Sequence, residues 1–210
     1  GYKYSGHTEI FADLTNTIDY AMLLIGGPLK VIHVTTHISM REACDRIKKD
    51  RVLTVIRLAE EAMINLGIKQ PKVAVAGFNA HSGENGLFGK EEILEIIPAI
   101  EEAKSEGIEV YGPVSPDTVF MHAKNGKYDI VVVMYHDQGH IPLKVLDFMG
   151  GVNITVGLPI IRISVDHGTA FGKAGKGTAD ENSMINAIKM AISFSNNRIL
   201  QSSTSIVKAP

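Results

Sequence analysis

The chain has 210 residues, 45% of them hydrophobic and 21% charged, and a formal net charge of -2 with its eight histidines neutral. That length holds one large domain or two small ones around a proper core. The near-neutral balance excludes the basic field on which nucleic-acid binding depends, and no apolar run reaches the roughly 20 residues that cross a bilayer.

Gly1 to Ser5 show neither an initiator methionine nor a secretory signal pattern, so a processed form or a fragment is expected. Gly6-His7-Thr8-Glu9 then leads into a helical pattern. The free N–H groups of a helix start suit phosphate or carboxylate, and His7 and Thr8 can add side-chain donors. The simpler alternative is that Thr8 only caps the helix.

Runs rich in Val and Ile predict strands at 20–25, 30–34, 72–77, 108–111, 130–135 and 160–165. Three runs lead to a histidine: His37 after Thr35-Thr36, His81 after the strand at 72–77, and His136 after the strand at 130–135. In a parallel sheet the carboxyl ends of strands line one crevice where ligands bind. Three imidazoles delivered there can hold a divalent metal with open coordination positions. His33 is flanked by Ile32 and Val34 and is expected to pack within the sheet. Cys44, the single cysteine, lies in a helical stretch and reads as a packed free thiol. It allows no internal disulfide and fits a reducing compartment.

Residues 51–66 place Val52, Val55, Ile56, Ala59, Met63 and Leu66 at helical spacing, with Gly67 as a left-handed stop. Residues 90–105 are expected to bury Ile93, Leu94, Ile97 and Ile100 and to expose Glu91, Glu92, Glu95, Glu101 and Glu102, ending at Gly107. Between these helices Asn79–Gly89 is a glycine-rich loop. Gly83, Gly86 and Gly89 let backbone approach a ligand, although the spacing is neither a P-loop nor a dinucleotide fingerprint.

Ile130–Met134 is apolar at every position, as a central strand covered on both faces requires. The polar cluster Tyr135–Lys144 follows it. His136 can ligate a metal, and Asp137 can ligate or orient. Lys144 can contact an anion or serve as acid or base. Asn153 and Arg162 bracket the same edge, and Arg162 inside an apolar strand implies an anionic partner, whether a protein carboxylate or a substrate phosphate. Asp166–Asp180 is a second glycine-rich loop, able to wrap an adenine nucleotide by backbone contacts. A helix is expected at 180–194 and a frayed polar tail at 195–205. Alternating strands and helices predict an α/β fold with a mostly parallel sheet flanked by helices.

With these segments in view, the chain resembles the 4-hydroxythreonine-4-phosphate dehydrogenase family of pyridoxal phosphate biosynthesis. The matching pieces are Gly6-His7-Thr8-Glu9, Thr36-His37, Asn79–Gly89, Gly112-Pro113 with Asp117-Thr118, Tyr135–Lys144, Gly151-Val152-Asn153 and Asp166–Ala170. The resemblance implies a fold similar to isocitrate and isopropylmalate dehydrogenases. It implies NAD-dependent oxidation of a secondary alcohol beta to a carboxylate, followed by loss of carbon dioxide, in a cytoplasmic homodimer. It makes His37, His81 and His136 the ligands of a divalent metal (Zn2+, Co2+, Mg2+ or Mn2+) at a site shared across the dimer interface. His7, Thr8, Lys144, Asn153 and Arg162 match positions that contact the phosphorylated substrate, with Lys144 and Asp137 catalytic. Asp166, His167, Gly168, Thr169 and Ala170 match the adenine side of the NAD site. The family's opening segment is absent, so residues 1–195 are expected to be the metal- and substrate-binding α/β unit with part of a second domain, and 196–210 a polar tail. His140 and the run Glu84–Gly89 are similar to a sister branch that oxidises D-threonate or D-erythronate 4-phosphate. Two rival readings are an inactive truncated dimer that binds metal or phosphate, and a metallohydrolase of phosphate esters.

Overall fold

The structure is a computed structural model that describes Tyr4 and residues 6–206. Helix α1 (His7–Leu14) leads into β1 (Ala21–Gly26), whose six residues are all buried. A two-residue turn, Gly27-Pro28, returns the chain as β2 (Leu29–His33). Gly27 takes φ 52 there, a conformation open to glycine at the first position of a tight hairpin. Two helices follow, α2 (Met40–Arg46) and α3 (Lys49–Asn65), and then β3 (Val73–Ala76). Next come α4 (Ile97–Ser105), β4 (Val110–Val114), α5 (Val119–Lys124), β5 (Ile130–Val133) and α6 (His136–Leu146). Strands β6 (Val152–Val156) and β7 (Arg162–Val165) and the long helix α7 (Asn182–Ile206) complete the chain.

The seven strands form one sheet in the order β4-β3-β5-β2-β1-β6-β7. β4, β3, β5 and β2 are mutually parallel neighbours, whereas β1 pairs antiparallel with β2 and β6, and β6 with β7. Strands β2 to β6 therefore run one way and β1 and β7 the other, so the sheet is mostly parallel with one mixed side. Alternate side chains feed two cores. Leu23, Ile32, Val73, Val75, Ile130 and Val132 meet α3, α4 and α7 on one face. Met22, Leu24, Val31, Ala74, Val131 and Val133 meet α5 and α6 on the other. With both faces covered, β5 is buried at every position, as its unbroken apolar run implied. Helix α6 lies close on β1 because Gly26 has no side chain. A Cβ there would stand 2.9 Å from Leu143 Cγ.

Several expectations change. β6 escaped the strand reading because polar Asn153 and Thr155 alternate with Val152, Ile154 and Val156. In the sheet that alternation is the ordinary period of two. The helical stretch at 90–105 opens with one wide turn over Glu92–Ile96 just before Pro98. Ile96 and Ile100 are buried, but Ile93 and Leu94 lie at 46% and 63% exposure, while Glu92 is only 2% exposed. The apolar face was misassigned because a wide turn shifts the helical period. Cys44 is exposed rather than packed, since among the α2 residues only Ala43 is buried. Helix α7 continues through the stretch read as a tail and ends at Ile206. The last four residues of that stretch, 207–210, and Gly1–Lys3 and Ser5 at the other end lie outside the described residues. No helix among the described residues is long and apolar enough to cross a membrane.

Candidate functional site

The carboxyl ends of β2 and β5 lie side by side, and hydrogen bonds extend their pairing into the following loop. Val34 N–H donates to Val133 O at 2.8 Å, and the Thr35 hydroxyl donates to Met134 O at 2.8 Å. This lock carries His37, four residues past His33, beside the first turn of α6. The rings of His37 and His136 stand 5.7 Å apart, a spacing open to two imidazoles that share one ion through bonds of about 2.1 Å. His136 Nδ1 lies 2.7 Å from Asp137 Oδ1. A proton on Nδ1 given to that carboxylate leaves the Nε2 lone pair for a ligand. His140 stacks on His136 at 3.6 Å and directs its Nδ1 to His136 O at 2.9 Å. Burial, aided by the nearby His136, pulls the His140 pKa below its ordinary value.

His33 packs beneath this cluster, fully buried, with Nδ1 on Met22 O at 3.1 Å and its ring 4.9 Å from that of His140. His81 lies elsewhere. Its ring neighbour is Phe88 at 6.2 Å, and it opens a left-handed turn, His81–Asn85, in which all five residues have positive φ. Buried Glu92 braces the root of this turn. Its Oε1 accepts Phe78 N–H and Asn79 N–H at 2.8 and 2.7 Å, and its Oε2 accepts Asn79 Nδ2 at 2.9 Å. The chain thus brings together two of its three expected metal ligands. Among the described residues no group of three His, Cys, Asp or Glu side chains is placed to hold an ion.

A cleft of about 510 Å³ runs alongside the imidazoles. His7, Thr8, Lys144 and Asn153 line it with His37 and His140, and Asp166, His167 and Gly168 form its wall. Lys144 Nζ pairs with Asp166 Oδ2 at 2.7 Å and also donates to Asp166 O. Arg162 does not line this cleft. Its Nη1 reaches Asn153 Oδ1 at 3.3 Å and Thr155 Oγ1 at 3.4 Å, and burial lowers its pKa while Glu9 opposes that shift. Thr8 begins no cap. The cap position is Gly6, and the Thr8 hydroxyl instead meets Thr155 Oγ1 at 3.1 Å. Thr169 and Ala170 are exposed beyond the cleft, Ala170 with φ 50.

Three residues at the site carried no functional expectation. Buried Gln138 accepts Met134 N–H at 2.6 Å and donates to Gly77 O at 2.8 Å, tying the end of β5 to the root of the His81 loop. Its signal was a polar side chain two residues after His136. Glu92 was masked by its place in a run of glutamates, and Thr155 by sitting one strand repeat beyond Asn153.

Residues 1–191 match the family model described as pyridoxal phosphate biosynthetic protein PdxA. The chain is 56% identical over 192 residues to a D-threonate 4-phosphate dehydrogenase of Pectobacterium atrosepticum, covering 91% of this chain and 59% of that protein. It is 53% identical over 192 residues to a 4-hydroxythreonine-4-phosphate dehydrogenase of Desulforapulum autotrophicum, covering 91% of this chain and 56% of that one. A crystal structure of 4-hydroxythreonine-4-phosphate dehydrogenase from Klebsiella pneumoniae superimposes with a TM-score of 0.83 at 54% identity, over 92% of this chain and 59% of that one. The chain therefore spans less than two thirds of the length of the relatives it matches.

Proposed function

The chain belongs to the PdxA family of pyridoxal phosphate biosynthetic proteins, and from that premise we propose that it serves an NAD-dependent, metal-dependent dehydrogenase that oxidises and decarboxylates a 4-phosphorylated hydroxy acid. The observation that carries this reading is the pairing of His37 with His136 at one end of a cleft that also holds Lys144, Thr8 and Asn153. His37 and His136 would hold a divalent ion, with His81 supplied by a second copy of this chain. In support, the segment bearing His81 exposes Leu87 at 72% and Leu94 at 63%, apolar surface of the kind a second copy covers. Imidazole donors suit Zn2+, Co2+ or Mn2+, and the family resemblance adds Mg2+. When bound, the metal supplies Lewis acidity that polarises the reacting hydroxyl and stabilises negative charge as carbon dioxide leaves.

The chain's own groups do the rest. Asp137 orients the His136 ring. Lys144, anchored by Asp166, presents its ammonium to an anionic substrate and can protonate the product. His7, Thr8, Asn153 and Arg162 bind the phosphate or set the direction of the groups that do. The stretch Asp166–Ala170 is the proposed adenine side of the NAD site, with His167 to Ala170 exposed for contact. The single exposed thiol of Cys44 suits a reducing setting such as the cytoplasm.

The proposed substrate is 4-hydroxy-L-threonine 4-phosphate, which would give 3-amino-2-oxopropyl phosphate. A second reading, D-threonate 4-phosphate, is favoured by the higher identity to the enzyme named for it, 56% against 53%. The two acids differ in an amino or hydroxyl group beside the carboxylate, so assay of the full-length protein with each acid and NAD separates them. The metal role is tested by His136→Ala in that protein. Turnover and bound metal are expected to disappear together, and retained activity would refute the role.

A further inference from the structure

Thr155 and Arg162 face each other across β6 and β7. The Thr155 side chain is 3% exposed, and its hydroxyl has two neighbours, Arg162 Nη1 at 3.4 Å and Thr8 Oγ1 at 3.1 Å. A guanidinium carries donors and no acceptor, so Arg162 occupies a lone pair of Thr155 Oγ1. The Thr155 proton must then find an acceptor, because a buried unpaired donor is costly. Among the described residues the oxygen within reach is Thr8 Oγ1. Thr155 therefore donates to Thr8, and Thr8 keeps its own proton for the cleft it lines. The same guanidinium nitrogen donates to Asn153 Oδ1 at 3.3 Å, which leaves the Asn153 NH2 group for the cleft as well.

We propose that Thr155 is a positioning residue that passes the one-way polarity of Arg162 to Thr8, so that the Thr8 hydroxyl and the Asn153 NH2 group are turned as donors toward a phosphate or carboxylate oxygen in this cleft. The proposal deepens, and rests on, the reading of this cleft as the substrate's anion site. Thr155 itself touches no substrate. Its hydroxyl matters through the direction it imposes on Thr8.

The test is calorimetric binding to the full-length protein of whichever acid the wild type takes, D-threonate 4-phosphate or 4-hydroxythreonine 4-phosphate. Thr155→Val keeps the volume and removes the hydroxyl, and is expected to weaken binding about tenfold, the scale of one hydrogen bond to a charged group. Thr155→Ser restores the hydroxyl and is expected to restore wild-type binding. Thr8→Val is expected to weaken binding, and adding Thr155→Val to it should cost nothing further, since the second residue acts only through the first. Thr155→Ala carries the same expectations as the valine variant should valine disturb the packing. Undiminished binding in both hydroxyl-free variants, failure of serine to rescue, or additive losses in the double variant would overturn the relay. Wild-type binding by Thr8→Val would instead overturn the anion-site reading, and the relay with it.

Discussion

His33 is neutral because of where it is. Burial, reinforced by the nearby His140, pushes its pKa down from 6.5 to about 3. An unfolded chain takes up a proton on this ring near pH 6.5, and the folded chain does so only near pH 3. Below pH 6.5 the unfolded state therefore binds the extra proton, and acidification favours unfolding. Stability is fully present above pH 6.5 and is lost toward pH 3, with a slope of about 1.4 kcal/mol per pH unit for one proton. Denaturant melts should show a steeper fall between pH 6 and pH 4 for the wild type than for His33→Gln. Parallel slopes, or ring NMR shifts showing His33 protonated in the folded protein at pH 5, would contradict this account. The sequence exposed the flanking Ile32 and Val34 and hence the burial. It gave no sign that His140, seven residues past Val133, would lie over the same ring, because that contact depends on Gly139. A Cβ at Gly139 would stand 2.6 Å from His33 Nε2.

At the scale of elements, the His81 loop owes its shape to one buried carboxylate. Five successive residues with positive φ are costly for side chains other than glycine, so something must hold them. Glu92 does so from the wide turn ahead of α4, and at Gly83 a Cβ would lie 2.6 Å from Glu92 Oε2. Glu92→Gln would set an amide NH2 against either the backbone N–H groups of Phe78 and Asn79 or the Asn79 NH2 group. It is expected to cost on the order of 1–3 kcal/mol in unfolding free energy and to speed amide hydrogen exchange at Phe78 and Asn79. Unchanged exchange there would remove Glu92 from this role. The strands and α3 were legible because apolar spacing reports burial directly. The loop was not, because its bracing group is polar, distant in the helical period and hidden among exposed glutamates. The pairing of His37 with His136 was legible from two strand ends. Its separation from His81 was not, since β3 and β5 are neighbours in the sheet and it is the left-handed loop after β3 that sets where His81 lies.

For the whole molecule, the decisive question is which chain completes the metal site. If each site takes His37 and His136 from one copy and His81 from another, the two kinds of defect can be combined. His81→Ala and His136→Ala proteins are each expected to be inactive alone. In a mixed dimer, the copy carrying His81→Ala keeps its own His37 and His136 and receives His81 from its neighbour, so that site is whole. The other site lacks both His136 and His81. Random re-pairing of equal amounts makes about half the dimers mixed, and so restores roughly a quarter of wild-type sites. Mixing after mild dissociation, then measuring bound metal and NADH formation, checks this. Recovery of both signals toward that fraction supports a site built across two copies. Mixtures as inert as their components, with mixed dimers verified by mass, would overturn a metal site shared between two copies.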